Sequence, residues 1–121
     1  MWGRVVSLVE VANMTPQTQT QLSDSSIIDL LNIVKLSITA EANFGSNATS
    51  PMYVYIRSSP DKECWDTDPL LTIAVSANPG SRGQKTEILF PDVKYIGAQV
   101  SNPNISGYFY NVRVRAFIAE P

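Results

Sequence analysis

The chain has no histidine and a single cysteine, Cys64. The first lack removes the side chain that most often serves as general base or transition-metal ligand near neutral pH. The second removes every intrachain disulfide. Catalysis is therefore not expected, and neither is a cofactor. Only nine of 121 residues are basic, they form no run, and the net charge is -2, so the electrostatic footprint of a nucleic-acid binder is missing. No apolar stretch approaches the roughly twenty residues of a membrane-crossing helix. The opening run Val5-Val6-Ser7-Leu8-Val9 is cut by Glu10, and no small-residue cleavage site follows it, so it reads as a strand rather than a signal peptide. The expectation is a soluble protein made in a cytoplasm, with neither nucleic acid nor membrane as a partner.

The hydrophobic content is 44%, enough for one packed domain over residues 1–121 and too little chain for a second. The clearest pattern lies in Met52 to Ser58. There Met52, Val54 and Ile56 share one face and Tyr53, Tyr55 and Arg57 the other, the two-residue period of a half-buried strand. Ser58-Ser59-Pro60-Asp61 ends it, because Pro60 cannot donate to a ladder and the Ser and Asp side chains can bond turn backbone. Trp65 is expected to anchor the acidic loop that follows, and to be substantially buried in doing so. Leu70 to Val75 then begins a second apolar run.

Taken in order, Val5, Ser7, Val9 and Val11 share one face of a first strand and Val6, Leu8 and Glu10 the other, so both faces are largely apolar. Ala12 to Ser26 is polar and rich in Thr, Gln and Ser, which reads as a loose connection. The first strand could fold back onto its own sheet or cross to another subunit; we expect it to contribute to subunit contacts. Ile33 to Ala42 alternates with Val34, Leu36, Ile38, Ala40 and Ala42 inward. A helix over Ile27 to Leu36 capped by Asp24 competes, but no 3.6-residue stripe persists. Further strands are expected at Leu71 to Val75, at Lys85 to Phe90 with Thr86, Ile88 and Phe90 on one face, and at Tyr95 to Val100. A long last strand runs from Tyr108 to Ile118, with Tyr108, Tyr110, Val112 and Val114 on the core side and Arg113, Arg115 and Phe117 opposite. About eight short strands with turns between them imply an all-β fold, an antiparallel β-sandwich of jelly-roll type.

Asp61, Glu63, Asp66 and Asp68 crowd one loop, but their spacing matches no calcium loop and Lys62 sits among them, so no metal is expected. Cys64 has acidic neighbours and no histidine to activate it; a half-buried structural thiol is the expectation. Asn13, Asn47 and Asn104 begin Asn-x-Ser/Thr sequons, which carry little weight in a chain so rich in these residues. Aromatic side chains could stack on a sugar. Of these, Tyr53 and Tyr55, sharing a face with Arg57, are the better placed, since Tyr108 and Tyr110 fall in register with core valines.

Tyr55-Ile56-Arg57-Ser58-Ser59-Pro60-Asp61, followed by Trp65-Asp66-Thr67, resembles the strand, turn and tryptophan of discoidin-like, galactose-binding jelly rolls. Lys94-Tyr95-Ile96 and Val112 to Ile118 stand where those domains have a Tyr-Ile strand and a long final strand. The chain departs from that pattern at Lys62, where a turn glycine is usual. Residues 34–118 also resemble small β-sandwich structural proteins of tailed bacteriophages, through the tryptophan loop and the alternating Asn111-Val112-Arg113-Val114-Arg115. That second resemblance implies a virion protein, synthesised in the host cytoplasm, of capsid decoration or cement type or from a tail lattice. Its partners would be the major capsid protein or other virion proteins, in a homo-oligomer. Val5, Val9, Val11, Tyr53, Tyr55, Arg57, Arg113 and Arg115 are the candidate contact residues. The first resemblance implies the alternative, a carbohydrate- or receptor-binding module whose aromatic face takes a glycan.

Overall fold

The computed structural model describes residues 2–121, with side chains from residue 3 onward. Nine strands are present among them: β1 (Trp2–Met14), β2 (Thr18–Gln19), β3 (Ile28–Asp29), β4 (Lys35–Phe44), β5 (Met52–Ser59), β6 (Leu71–Val75), β7 (Arg82–Ile88), β8 (Tyr95–Asn102) and β9 (Phe109–Glu120). They form two antiparallel sheets, β1-β9-β4-β7 and β2-β8-β5-β6, with β3 pairing β8 beside β2. The pairings nest. β5 pairs β6 at the centre, β4 pairs β7 outside it, β2 and β3 pair β8 outside that, and β1 pairs β9 last. One long antiparallel hairpin has thus been rolled into a sandwich, the jelly-roll arrangement. The expected eight strands become nine because one ladder position is split between β2 and β3.

The core is built where the period of two is clean. Leu36, Ile38, Ala40 and Ala42 of β4, Met52, Val54 and Ile56 of β5, and Ile96, Ala98 and Val100 of β8 are all buried. Two irregularities shift the phase elsewhere. In β1 an extra residue enters between Ser7 and Val9, so Leu8 and Val9 are both buried while Val5 stays exposed. The shared face expected for Val5, Val9 and Val11 is therefore divided: Val9 lies in the core, and Val11 packs against it. In β9 the register to β4 shifts between Glu41 and Asn43, and Asn111 takes a left-handed φ of 50°. A left-handed residue suits asparagine better than most and rotates the strand. Phe109 consequently turns fully inward, and Tyr108 and Tyr110 turn out. The expectation that these two tyrosines belong to the core is overturned.

Two further readings are corrected. Ala12 to Ser26 is not loose, because it covers the edge of β8. Thr20 Oγ1 accepts the Val100 amide at 2.9 Å and Ser25 Oγ accepts the Ala98 amide at 3.0 Å, so two hydroxyls replace ladder carbonyls in the gap between β2 and β3. The turn into β2 has Pro16 followed by Gln17 at φ 56°, the proline-then-left-handed order of a type II turn. Thr86, Ile88 and Phe90, expected to share one strand face, are all exposed, the two large ones at 79% and 77%. Among the described residues β7 pairs with β4 alone, and an edge strand need not bury a full face. Val34, expected inward ahead of Leu36, is also exposed.

Loops joining β1 to β2, β4 to β5 and β8 to β9 are bound together at one end of the sandwich. Asn102 Nδ2 donates to the carbonyls of Met14, Thr15 and Gly107 at 3.0–3.2 Å, and its Oδ1 accepts from both nitrogens of Asn104. Asn104 in turn bonds the backbone of Ser50 through both ends of its carboxamide. A Cβ at Gly107 would lie 2.3 Å from Ala48 Cα, so only glycine permits this approach.

Candidate interaction surfaces

β1 pairs with its own chain's β9 over its whole length, and its outer edge is free among the described residues. Edge strands left open to a partner are flat and uncharged, whereas this one carries a bulge and Arg4 opposite core residue Ile118, two devices that discourage strand addition. The sheet faces are the larger open surfaces.

Register across the outer face of β1-β9-β4-β7 places four rows in order. Val5, Phe117, Ser37 and Ile88 form an apolar row; Ser7, Arg115, Thr39 and Thr86 a polar one; Glu10, Arg113, Glu41 and Gln84 a charged one. Asn13, Tyr110, Asn43 and Arg82 complete the face. The apolar row opens into a groove of about 470 Å³ bounded by Val34, Ile88, Phe90 and Phe117. The Phe117 ring lies over Gly3, where a Cβ would come within 2.7 Å of it.

The charged row holds the best-defined electrostatic feature. Glu41 Oε2 accepts the Arg82 Nε at 3.0 Å, and Oε1 accepts from Arg115. Burial pushes the Glu41 carboxyl up, but the Arg82 hydrogen bond and the charges of Arg115, Arg82 and Arg113 outweigh it, and the group is held below its ordinary value. Arg115 is thus committed to an internal ion pair; Arg113 is exposed and carries no short ion pair among the described residues. The Glu41 side chain is 9% exposed while Arg82 and Arg115 are 57% and 38% exposed, so solvent screens much of the attraction. Glu41→Gln should cost about 1–2 kcal/mol. Because the folded-state pKa is depressed, this contribution is present above the unfolded value of about 4.3 and is lost as pH falls through the folded one. Urea melts between neutral pH and pH 3 should show the variant losing less stability on acidification than the parent; parallel curves would contradict this.

On the opposite sheet, Tyr53 and Tyr55 stack at 6.5 Å between centroids with Arg57 5.9 Å above the Tyr55 ring. Arg57 is held by Gln99 Oε1 and by the carbonyl of Thr67. All three side chains are half-buried. Trp65 is half-buried too, rather than substantially buried: its ring lies against Gly97, where a Cβ would be 3.3 Å from Cη2. The site is a glycine floor on a strand, not a core pocket, which limits how much of a large ring can be enclosed. Trp65→Ala should accordingly cost about 1–2 kcal/mol instead of the 3–5 of a fully buried aromatic, measurable by denaturant unfolding.

The acidic loop is organised by its own backbone. Asp61 Oδ1 accepts the amides of Cys64 and Glu63 at 2.8 and 2.9 Å, and these bonds lower its pKa. Asp66 accepts from Ser58 Oγ at 2.7 Å. Lys62 has a φ of 69°, a left-handed conformation that glycine adopts more readily than lysine. Cys64 is exposed, not half-buried as expected, because the turn points it outward. The stacked pair Tyr108 and Tyr110, 6.1 Å apart and nearly parallel, was missed because the kink at Asn111 leaves no mark in the apolar periodicity.

No family model and no curated protein sequence matches the chain. Among solved structures it is similar to infectious bursal disease virus VP2 in a subviral particle, at 13% identity and a TM-score of 0.55, over 98% of this chain and 32% of that one. The chain therefore spans about a third of the VP2 chain. It is similar to the PRD1 vertex protein P5 at 10% identity and a TM-score of 0.50, over 98% and 94% of the two chains. Murine APRIL at pH 5.0 is similar at 9% identity and a TM-score of 0.52, over 97% and 98%. At these identities the likeness is one of fold, shared by two viral proteins and one mouse protein.

Proposed function

We propose that the chain is a non-enzymatic structural subunit of a virion, of the capsid decoration or cement type or from a tail lattice, in a tailed bacteriophage. The observation that carries this reading is the apolar row Val5, Phe117 and Ile88, continued by Phe90, on the open face of a four-stranded sheet. Large apolar side chains gathered on one outer face mark a protein contact, and the charged row beside them would fix its orientation. The fold shared with VP2 and the vertex protein is consistent with such a role. The partners would be the major capsid protein, other virion proteins or further copies of the chain, met after synthesis in the host cytoplasm. Glycan binding through Tyr53 and Tyr55 is less favoured, because Arg57 lies over the Tyr55 ring.

The test is cosedimentation with empty capsids of the encoding virus, together with light scattering of the isolated chain. Phe117→Asp combined with Ile88→Asp should abolish capsid binding or self-association while leaving the folded circular dichroism spectrum intact. A parent chain that is monomeric and ignores both capsids and tails would defeat the proposal.

A further inference from the structure

The charges of this chain are unevenly placed. Residues 12–20, 43–56, 72–81 and 99–112 contain no Asp, Glu, Lys or Arg, and these segments supply the loops and strand ends at the end of the sandwich tied together by Asn102 and Asn104. At the corner of that end, Tyr110 of β9 lies in register between Asn13 of β1 and Asn43 of β4. Both asparagines are exposed, and Tyr108 stacks on Tyr110. Arg82, the nearest charge in the row, is turned to Glu41.

We propose that Tyr108, Tyr110, Asn13 and Asn43 form a binding site for a neutral saccharide. Aromatic faces take the apolar side of a pyranose, and a carboxamide offers both a donor and an acceptor to neighbouring hydroxyls. β1 and β4 flank β9, so the two asparagines stand about two strand spacings, or about 10 Å, apart, the length of about two linked pyranoses. The four side chains of the site carry no charge, and Arg113 stands in the next row with a carboxylate on either side of it in register, Glu10 and Glu41, which argues for an uncharged ligand over a sialylated or sulfated one. The site is also rigid. Phe109, between the two tyrosines, is fully buried against Phe44, and Gly45 N donates to the Tyr108 carbonyl at 2.8 Å. A preorganised aromatic platform loses little entropy on binding. This site does not depend on the virion reading, and it lies on a different part of the molecule from Tyr53 and Tyr55.

The experiment is a titration of the isotope-labelled full chain with maltoheptaose, cellohexaose and chitohexaose, with a heparin hexasaccharide as the charged control, followed by amide chemical shifts. At least one neutral probe should bind with millimolar or tighter affinity and shift residues 13, 43 and 108–111. Tyr110→Ala should weaken that binding by about tenfold, Tyr110→Phe should retain it, and Tyr53→Ala should leave it unchanged. Binding of none of the neutral probes, stronger binding of heparin, shifts centred on Tyr53 and Tyr55, or undiminished binding by a folded Tyr110→Ala variant would each overturn the assignment.

Discussion

Asn102→Ala should lower the unfolding free energy by about 3–5 kcal/mol, since several buried polar groups lose their partner together and each costs about 1–3. Asn102 is 1% exposed. Its carboxamide serves three carbonyls and the Asn104 amide, and water reaches them only if the loops part. Asn102→Asp discriminates the cause. It preserves the shape and the acceptor but sets a carboxylate against three carbonyl oxygens, so it should be no more stable than the alanine variant. An aspartate variant of near-parental stability would show that packing, rather than hydrogen bonding, holds this end.

Phe109→Ala should cost a further-reaching loss of similar size, about 3–5 kcal/mol. The ring is fully buried and meets Phe44 edge-on at 4.9 Å, and it stands where both sheets approach the tied loops. Phe117→Ala, on the same strand but outward-facing and 45% exposed, provides the contrast and should cost no more than about 1–2 kcal/mol. Equal losses for the two would mean that the phase of β9 has been assigned the wrong way round. Chemical denaturation of both variants settles the comparison.

That phase marks the boundary of what the amino-acid order reveals. Met52 to Ile56 and Ile96 to Val100 alternate without interruption, and both are strands with the faces expected of them. Simple periodicity is reliable there because a one-residue slip would expose the whole apolar set. Val5 to Val11 and Tyr108 to Ile118 look equally regular, yet each contains a bulge, and a bulge has no compositional signature when its residues are Ser, Leu or Asn. Tyr110, in apparent phase with Val112 and Val114, is expected inward for that reason. For Ile88 and Phe90 the pattern gives a shared face but not which side it takes, because apolar side chains that meet a partner look the same as those of a core. Arg113 and Arg115, two residues apart and expected alike on the outer face, differ because Glu41, although in register with Arg113, binds Arg115 on the diagonal, a choice no local pattern records. The sandwich was legible in local pattern, whereas the candidate surfaces depend on which strands become neighbours.

The outermost pair of the nested hairpin, β1 with β9, joins the first residues described to the last. During synthesis β1 emerges long before β9, the strand it pairs with, exists in the sheet. At usual elongation rates it waits roughly 5–20 s for β9 to follow. Throughout that interval a β-prone segment with Val5, Val6, Leu8 and Val9 has no native site, and it is protected only by its charges and by whatever the cell supplies to cover it. Chain termination anywhere before residue 109 would leave that segment permanently unpaired, so incomplete products should be recovered as aggregates rather than as smaller folded species.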